Sequence, residues 1–526
     1  MNSQQHAYEF DVRAYGAAGD GRTLDSPAIQ QAIEAAHAAG GGVVHAPPGI
    51  YRCGTLELRS AVTLELDRDA TILGSAKLAD YRCYHWPALI TAKDQRDIAI
   101  IGAGTIDGNS PELVREFDRI KASGNGLDFF PHAVEGADIE MASPFGTPYT
   151  FNPYQLQREG VLLERIYGSF TRPTEAVRPQ VIEFNHCTHV TVRDITLCNA
   201  ANWVETYRNC EDLLIERIKV RSTQYWNNDG LDLVDCKRVR VLDCDINSAD
   251  DALCLKSEFY GTGCEDITIA RCTLASRASA LKFGTASQHG FRRIHVSDIA
   301  VRNTYRSVVA IQSVDGAVVE DITVERARGT NTGNAFAIRL GHRNPHKPVG
   351  SIKDIVLRDI EVDVPPQPPD YHSETGTPHN LIPGSITGIP GARVEDVLLE
   401  NVQVRYGGRA DRAHAEIPLD ALDSVPEKVT DYPEFTMWGE LPAWAAYIRH
   451  ASGVTLRNVR FTLGGPDFRP AIVAADAPGL TLENLDIAPC SGEPVIVLKD
   501  SPEATLHNVA FPDGAAETVQ ILGGGR

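Results

Sequence analysis

Apolar residues recur along this chain at offsets 0, +2, +5 and +7 of a repeating unit, with polar residues between them. The unit reads Val190, Val192, Ile195, Leu197; then Leu213, Ile215, Ile218, Val220; then Val239, Val241, Cys244, Ile246. It continues through Ile267, Ile269, Cys272, Leu274, through Ile294, Val296, Ile299, Val301, and through Ala317, Val319, Ile322, Val324, at successive steps of 23, 26, 28, 27 and 23 residues. Later copies start at Ile355, Val397, Val454 and Leu480. The spacing of two marks a strand with one buried face, and the step of three fits a corner where the chain bends before alternation resumes. One unit cannot bury its apolar edge, whereas stacked units bury a continuous interior. The pattern therefore predicts an all-β fold, a single-stranded right-handed parallel β-helix running as a single domain over residues 1–526. The Leu/Asn consensus of leucine-rich repeats and the hairpin signals of a propeller are absent.

The ends and interruptions differ from the repeat. Asp25 to Gly40 reads as a helix with an N-cap candidate, an early Pro and a terminal Gly, and its apolar face is Ile29, Ala32, Ile33 and Ala36. That face suits a cap, over about residues 8–50, that plugs an open solenoid end. Residues 109–180, 364–392 and 407–447 break the repeat, and such excursions are where binding surfaces are expected. Cys187, Cys210, Cys236 and Cys264 each precede a copy by three residues, and Cys244 and Cys272 share a corner slot. Without Cys-x-x-Cys or Cys/His clustering, they read as small buried side chains stacked coil upon coil, and no metal site is expected.

Composition narrows the function. With 43% apolar and 23% charged residues the chain reads as an ordinary soluble protein. Its 70 acidic against 50 basic side chains give a net charge of −20, which argues against nucleic acid or an anionic membrane as partner. No apolar run approaches the roughly 18 residues of a membrane span. The opening residues lack the basic and apolar regions of a secretory signal, and the eleven cysteines are odd in number and thinly spread. Both point to a cytoplasmic protein, or to a secreted or periplasmic one from which a signal has been removed.

Carboxylates are scattered over the polar positions, but one set is in register. Asp229 and Asp251 each lie two residues before a strand, Leu231-Asp-Leu233 and Leu253-Cys-Leu255, with Asp250 adjacent and Ser279 at the same place before Leu281-Lys-Phe283. Coils roughly 4.8 Å apart would bring the aspartates into one cluster, where like charges favour one carboxyl staying protonated. That is the pairing glycoside hydrolysis requires. Asn-Asp-Gly and Ala-Asp-Asp are also turn-prone, so position alone leaves a structural role open.

At these residues the sequence resembles glycoside hydrolase family 28, the polygalacturonase family. Its Asn-x-Asp-Gly motif matches Asn227-Asn-Asp229-Gly230, and its Asp-Asp pair matches Asp250-Asp251, at spacings of 21 and 22 residues from Asp229. The resemblance also takes in Tyr15-Gly-Ala-Ala-Gly-Asp-Gly, Pro47-Pro-Gly-Ile-Tyr51, Gly102-Ala-Gly-Thr-Ile-Asp-Gly108, Arg178-Pro179 and Asn202-Trp203, covering roughly residues 8–360. It implies Asp250 as general acid, Asp229 and Asp251 as activators of the attacking water, inversion at the anomeric carbon, and no cofactor. The substrate implied is a pectin-type oligosaccharide or polysaccharide.

The chain departs from the family in two places. Ala278-Ser279-Ala280 stands where the family has Gly-His-Gly, and Ala310-Ile311-Gln312 where the uronate-holding Arg-Ile-Lys should fall. Leu281-Lys282-Phe283-Gly284-Thr285 is similar to a bacterial branch. Lys282 is expected to point outward, toward a cleft or into a surface salt bridge with Asp232. Other substrate-binding candidates are Asn227 in the motif, Trp203 as a sugar platform or a core cover, and Lys256, Arg306 and Arg339 after successive strands. Trp438 belongs to an aromatic-rich excursion that could roof the cleft and favour exo action. Two other readings are a polysaccharide lyase or epimerase on the same scaffold, recognised by calcium dependence, and a non-catalytic glycan-binding solenoid.

Overall fold

The computed structural model describes residues 9–82, 86–141, 149–366, 379–488, 494–511 and 518–523. Backbone contacts divide it into two units, residues 1–252 and 253–526. Each is built as a parallel β-helix.

In the first unit Ile98, Val190, Leu213 and Val239 are in-register neighbours, as are Ile100, Val192, Ile215 and Val241. Past the corner, Ile106, Leu197, Val220 and Ile246 stack the same way. The corner residue itself is Asp194, Arg217 or Asp243, at φ 64°, 52° and 56°. Left-handed backbone is unfavourable for most side chains and tolerated by Asp and Asn, so the extra residue in the step of three is the one that turns the strand. Arg217 is held there by a forked pair of bonds to Asp194, at 2.7 and 3.0 Å. Cys187, Cys210 and Cys236 are buried one above another, with the Cys187 amide donating to Cys210 Sγ at 3.4 Å.

The capping helix spans Ser26–Ala38 and buries Ile29, Ala32, Ile33 and Ala36 completely. Asp25 occupies the N-cap position but does not cap the helix. Its carboxylate accepts from the Ala18 and Gly19 amides at 2.7 and 3.1 Å and so ties down the preceding turn. The first interruption is structured: helix Ser110–Ser123, an antiparallel hairpin of Ile139–Met141 with Tyr149–Phe151, and helices Pro153–Arg158 and Leu162–Tyr167. The rings of Phe117, Phe129 and Tyr167 give it a small core of its own, with centroids 5.9 and 6.0 Å apart.

In the second unit Ile267, Ile294, Ile322, Ile355 and Val397 are successive neighbours. This corrects the repeat read from the sequence. The copy after Ile294 is Ile322, Val324, Ala327, Gly329, and not the one starting at Ala317; Val319 pairs with Phe291 on an earlier strand. Small residues hid the true copy. A Cβ on Gly329 would stand 2.8 Å from Val308 and 3.3 Å from Val362, so the slot takes glycine where other coils take a branched side chain. Later corners are asparagines in the same left-handed conformation. They form a ladder in which Asn401 bonds Asp359, Asn458 bonds Asn401, Asn484 bonds Asn458 and Asn508 bonds Asn484, at 2.7–3.0 Å.

The 407–447 excursion buries Leu422, Val425, Phe435 and Leu441 against Ala337, Tyr447, Val473 and Val497. Of the interruption expected at 364–392, residues 367–378 lie outside the described residues. No described helix is long and apolar enough to cross a membrane.

One sheet in each unit differs from the others. Lys237–Leu242 alternates buried and exposed positions, whereas Glu205–Arg208 and Leu231–Val234 are buried throughout, as are Leu253–Ser257 and Leu281–Ser287. Strands buried at every position have both faces covered. Trp203, Asn227 and the three aspartates lie in the turns before these strands, and Lys256 and Lys282 in the strands themselves.

Candidate active site

In the first unit the turn Trp226–Gly230 is fixed from below and behind. Arg178, fully buried, donates to the Ala201 and Trp226 carbonyls at 2.8 and 3.0 Å and to Asn227 Oδ1 at 2.8 Å. Burial pushes its guanidinium down to about 10, opposed by the negative charges of Glu175, Asp229 and Asp250. Asn228, also fully buried, donates to the Ala200 and Asn202 carbonyls at 3.1 and 2.9 Å and accepts from Ser222 Oγ at 3.0 Å. Gly230 is required by close approach, since a Cβ there would lie 2.4 Å from Ile246 and 2.6 Å from the Ala252 carbonyl. Asn227 is in the left-handed region at φ 51°.

This frame carries the aspartates into register. The Val204 amide donates to the Asp229 carbonyl and the Gly230 amide to the Asp251 carbonyl, both at 2.8 Å. Asp229 and Asp251 present carboxylate oxygens within 4.8 Å of one another. Both are nearly buried, at 4% and 3% exposure, while Asp250 is half-buried and so the most open of the three. Asp250 Oδ1 accepts from the Asp251 amide at 3.0 Å, which orients the doublet. Two close carboxylates with a third, more open one beside them can hold and deprotonate a water while the third delivers a proton.

The other predicted residues fall differently. Asn227 has its side-chain oxygen taken by Arg178, which makes it a positioning residue of the turn. Trp203 is 3% exposed; its ring meets Trp86 edge to face at 4.8 Å and the Arg208 guanidinium at 5.4 Å. Of the two roles expected for it, it takes the core cover and offers no ring face for a sugar. Arg208 in turn pairs with Glu183 at 3.4 Å, both buried.

In the second unit Lys282 corrects the expectation of an outward cleft residue. It is 2% exposed because the 407–447 excursion lies over it: its Nζ is 3.3 Å from Glu434 and 3.4 Å from the Tyr432 hydroxyl. Arg306 converges on the same carboxylate at 2.7 Å. Arg339 is likewise covered; it donates to the carbonyls of Gly388, Glu427 and Lys428 at 2.7, 2.7 and 3.0 Å, with the Trp438 ring 5.4 Å away. Trp438 itself packs against the excursion's core, and Lys256 is buried.

Sequence reasoning passed over two residues of the first unit. Trp226, directly before Asn227, is 37% exposed, and the Arg172 guanidinium lies 5.8 Å from its ring. An aromatic adjoining the Asn-x-Asp-Gly motif was the signal available for the first; Arg172 lies in an irregular insertion where no repeat gives register.

The profile of glycosyl hydrolases family 28 matches residues 168–276, the segment holding the aspartate turn, and that of rhamnogalacturonase A/epimerase, pectate lyase-like proteins matches residues 10–75. The chain is 25% identical over 455 residues to a probable polygalacturonase of Vitis vinifera, spanning 82% of this chain and 81% of that one. It is 28% identical over 263 residues to an exo-poly-alpha-D-galacturonosidase of Dickeya chrysanthemi, spanning 46% and 41%. Among solved structures, the family 28 exopolygalacturonase of Yersinia enterocolitica superposes with a TM-score of 0.58 at 18% identity, over 91% of this chain and 78% of that one. The fold is thus the right-handed parallel β-helix. Matched profile, relatives and fold agree with the aspartate turn: over that segment the chain is similar to glycosyl hydrolases family 28, and it is a glycosidase.

Proposed function

We propose that this glycosidase is an inverting, exo-acting hydrolase of pectin-type oligosaccharides containing galacturonic acid or rhamnose. The observation that carries the reading is the meeting of Asp229 and Asp251 within 4.8 Å beside the more open Asp250. Asp250 gives its proton to the glycosidic oxygen as the bond to the anomeric carbon breaks. Asp229 and Asp251 take a proton from the water that attacks the opposite face, and the products are an alcohol and a reducing sugar of inverted configuration. No cofactor enters these steps.

Exo action is supported by the likeness to a relative named exo-poly-alpha-D-galacturonosidase. The test is a panel of pectic oligosaccharides followed by chromatography, run in parallel with EDTA and with added calcium. The reading predicts stepwise release of small sugars from one chain end. Calcium-dependent formation of an ultraviolet-absorbing unsaturated product would instead indicate a lyase, and no turnover of any glycan would indicate a binding protein.

A further inference from the structure

A family 28 enzyme acting on a uronate needs a cation for the sugar's carboxylate, and the chain lacks the motif that supplies one. The basic residues that the sequence offered in its place are spoken for. Lys282 and Arg306 share Glu434, and Arg339 is held by three backbone carbonyls. Arg172 is different. It is half-buried, and among the described residues it has no carboxylate partner. Its guanidinium lies over two aromatic rings, 5.0 Å from Phe170 and 5.8 Å from Trp226, which are 62% and 37% exposed.

This cluster adjoins the aspartates. Trp226 precedes Asn227 in the aspartate turn, and its carbonyl accepts from Arg178. Arg178 feels the charge of Arg172 as well as those of Asp229 and Asp250, and it also reaches back to the Thr174 carbonyl at 3.4 Å. The segment bearing Arg172 and the turn bearing the aspartates are therefore tied to one buried guanidinium. A planar guanidinium matches a carboxylate with two parallel N–H donors, and an exposed indole offers apolar surface to the C–H face of a pyranose.

We propose that Arg172 and Trp226 form the recognition site for a uronate residue of the substrate, with the sugar ring against Trp226 and its carboxylate on Arg172. The assignment rests on the pectic-hydrolase reading and narrows its substrate class to acidic sugars.

Binding, read without turnover, tests it. In the full chain carrying Asp250→Asn, the Kd of digalacturonate and of its methyl ester is measured by calorimetry, alone and combined with Arg172→Gln, Arg172→Lys or Trp226→Ala. The acid binds more tightly than the ester in the parent, and Arg172→Gln shrinks that preference by about tenfold, the loss of one charge-assisted hydrogen bond. Arg172→Lys retains part of the preference, and serves in its place if Arg172→Gln lowers the melting temperature. Trp226→Ala weakens acid and ester alike. A parent with no preference for the acid, or a preference that survives Arg172→Gln, overturns the proposal. Turnover by the unaltered chain is followed separately. Arg172-dependent acid binding without cleavage would sink the hydrolase reading and leave this one standing, and cleavage with Arg172-independent binding would do the reverse.

Discussion

The two units carry the same kind of fully covered sheet but treat its polar groups in opposite ways. In the first, a turn locked by Arg178 and Asn228 holds three aspartates together and leaves Asp250 partly open. In the second, the 407–447 excursion supplies its own carboxylate and carbonyls to Lys282, Arg306 and Arg339. Register along a parallel stack places chemistry in a column, but the insertions decide which members of the column meet substrate. A charged residue at a promising register position is a site only if the chain has not already satisfied it.

The largest effect that sharpens this contrast is at Asp250. Asp250→Asn removes the transferable proton and should lower kcat by about a hundred- to ten-thousand-fold in steady-state assays, with folding intact. A mild loss would reduce Asp250 to a turn residue like its neighbours.

Glu434→Ala probes the opposite side. It strips the shared partner from buried Lys282 and half-buried Arg306 and should destabilise the chain by about 3 kcal/mol, read by denaturant unfolding. A change near zero would mean that the excursion does not secure Lys282 and Arg306.

The third effect depends on pH. Burial raises Glu205 to about 8, with Tyr207 donating to it at 2.7 Å. A carboxyl whose folded value lies above its unfolded one favours the fold below the unfolded value, and that contribution is lost as pH rises through about 8. Melting temperature should therefore fall as pH rises from about 4.5 to about 8, and Glu205→Gln should flatten that fall. Parallel profiles would show that Glu205 is ionised in the fold.

The smallest test concerns the corners. Asn458→Ala places a Cβ-bearing residue with no local hydrogen bond at φ 53° and should cost about 1–2 kcal/mol, while Asn458→Gly should cost less. Equal losses would assign the stabilisation to the ladder and not to the left-handed backbone.

Much of this was legible in the sequence. The 0, +2, +5, +7 unit yields the strands because a one-sided strand must alternate, and its step of three gives the corner because one residue must turn left-handed. The helix face from Ile29 to Ala36 follows from the i, i+3, i+4, i+7 spacing of a helix, and the registry of Asp229 with Asp251 from the strands that follow them. The reading failed where side chains vanish or where the chain leaves the stack. Ala327 and Gly329 concealed a coil by being small. The burial of Lys282 depends on Glu434, distant in sequence and within an excursion with no repeat to align it. Trp203 and Trp226 look alike in the sequence, and only the packing of Trp86 against the first distinguishes the core ring from the exposed one.

The first-formed anomer tests the central claim most directly. With a chain-end pectic substrate followed by proton NMR from the first seconds, before mutarotation, the cluster of Asp229, Asp250 and Asp251 predicts a product whose anomeric configuration is opposite to that of the bond cleaved. A product of retained configuration, or an unsaturated sugar in its place, would contradict the assignment of acid and water-activating carboxylates to these residues.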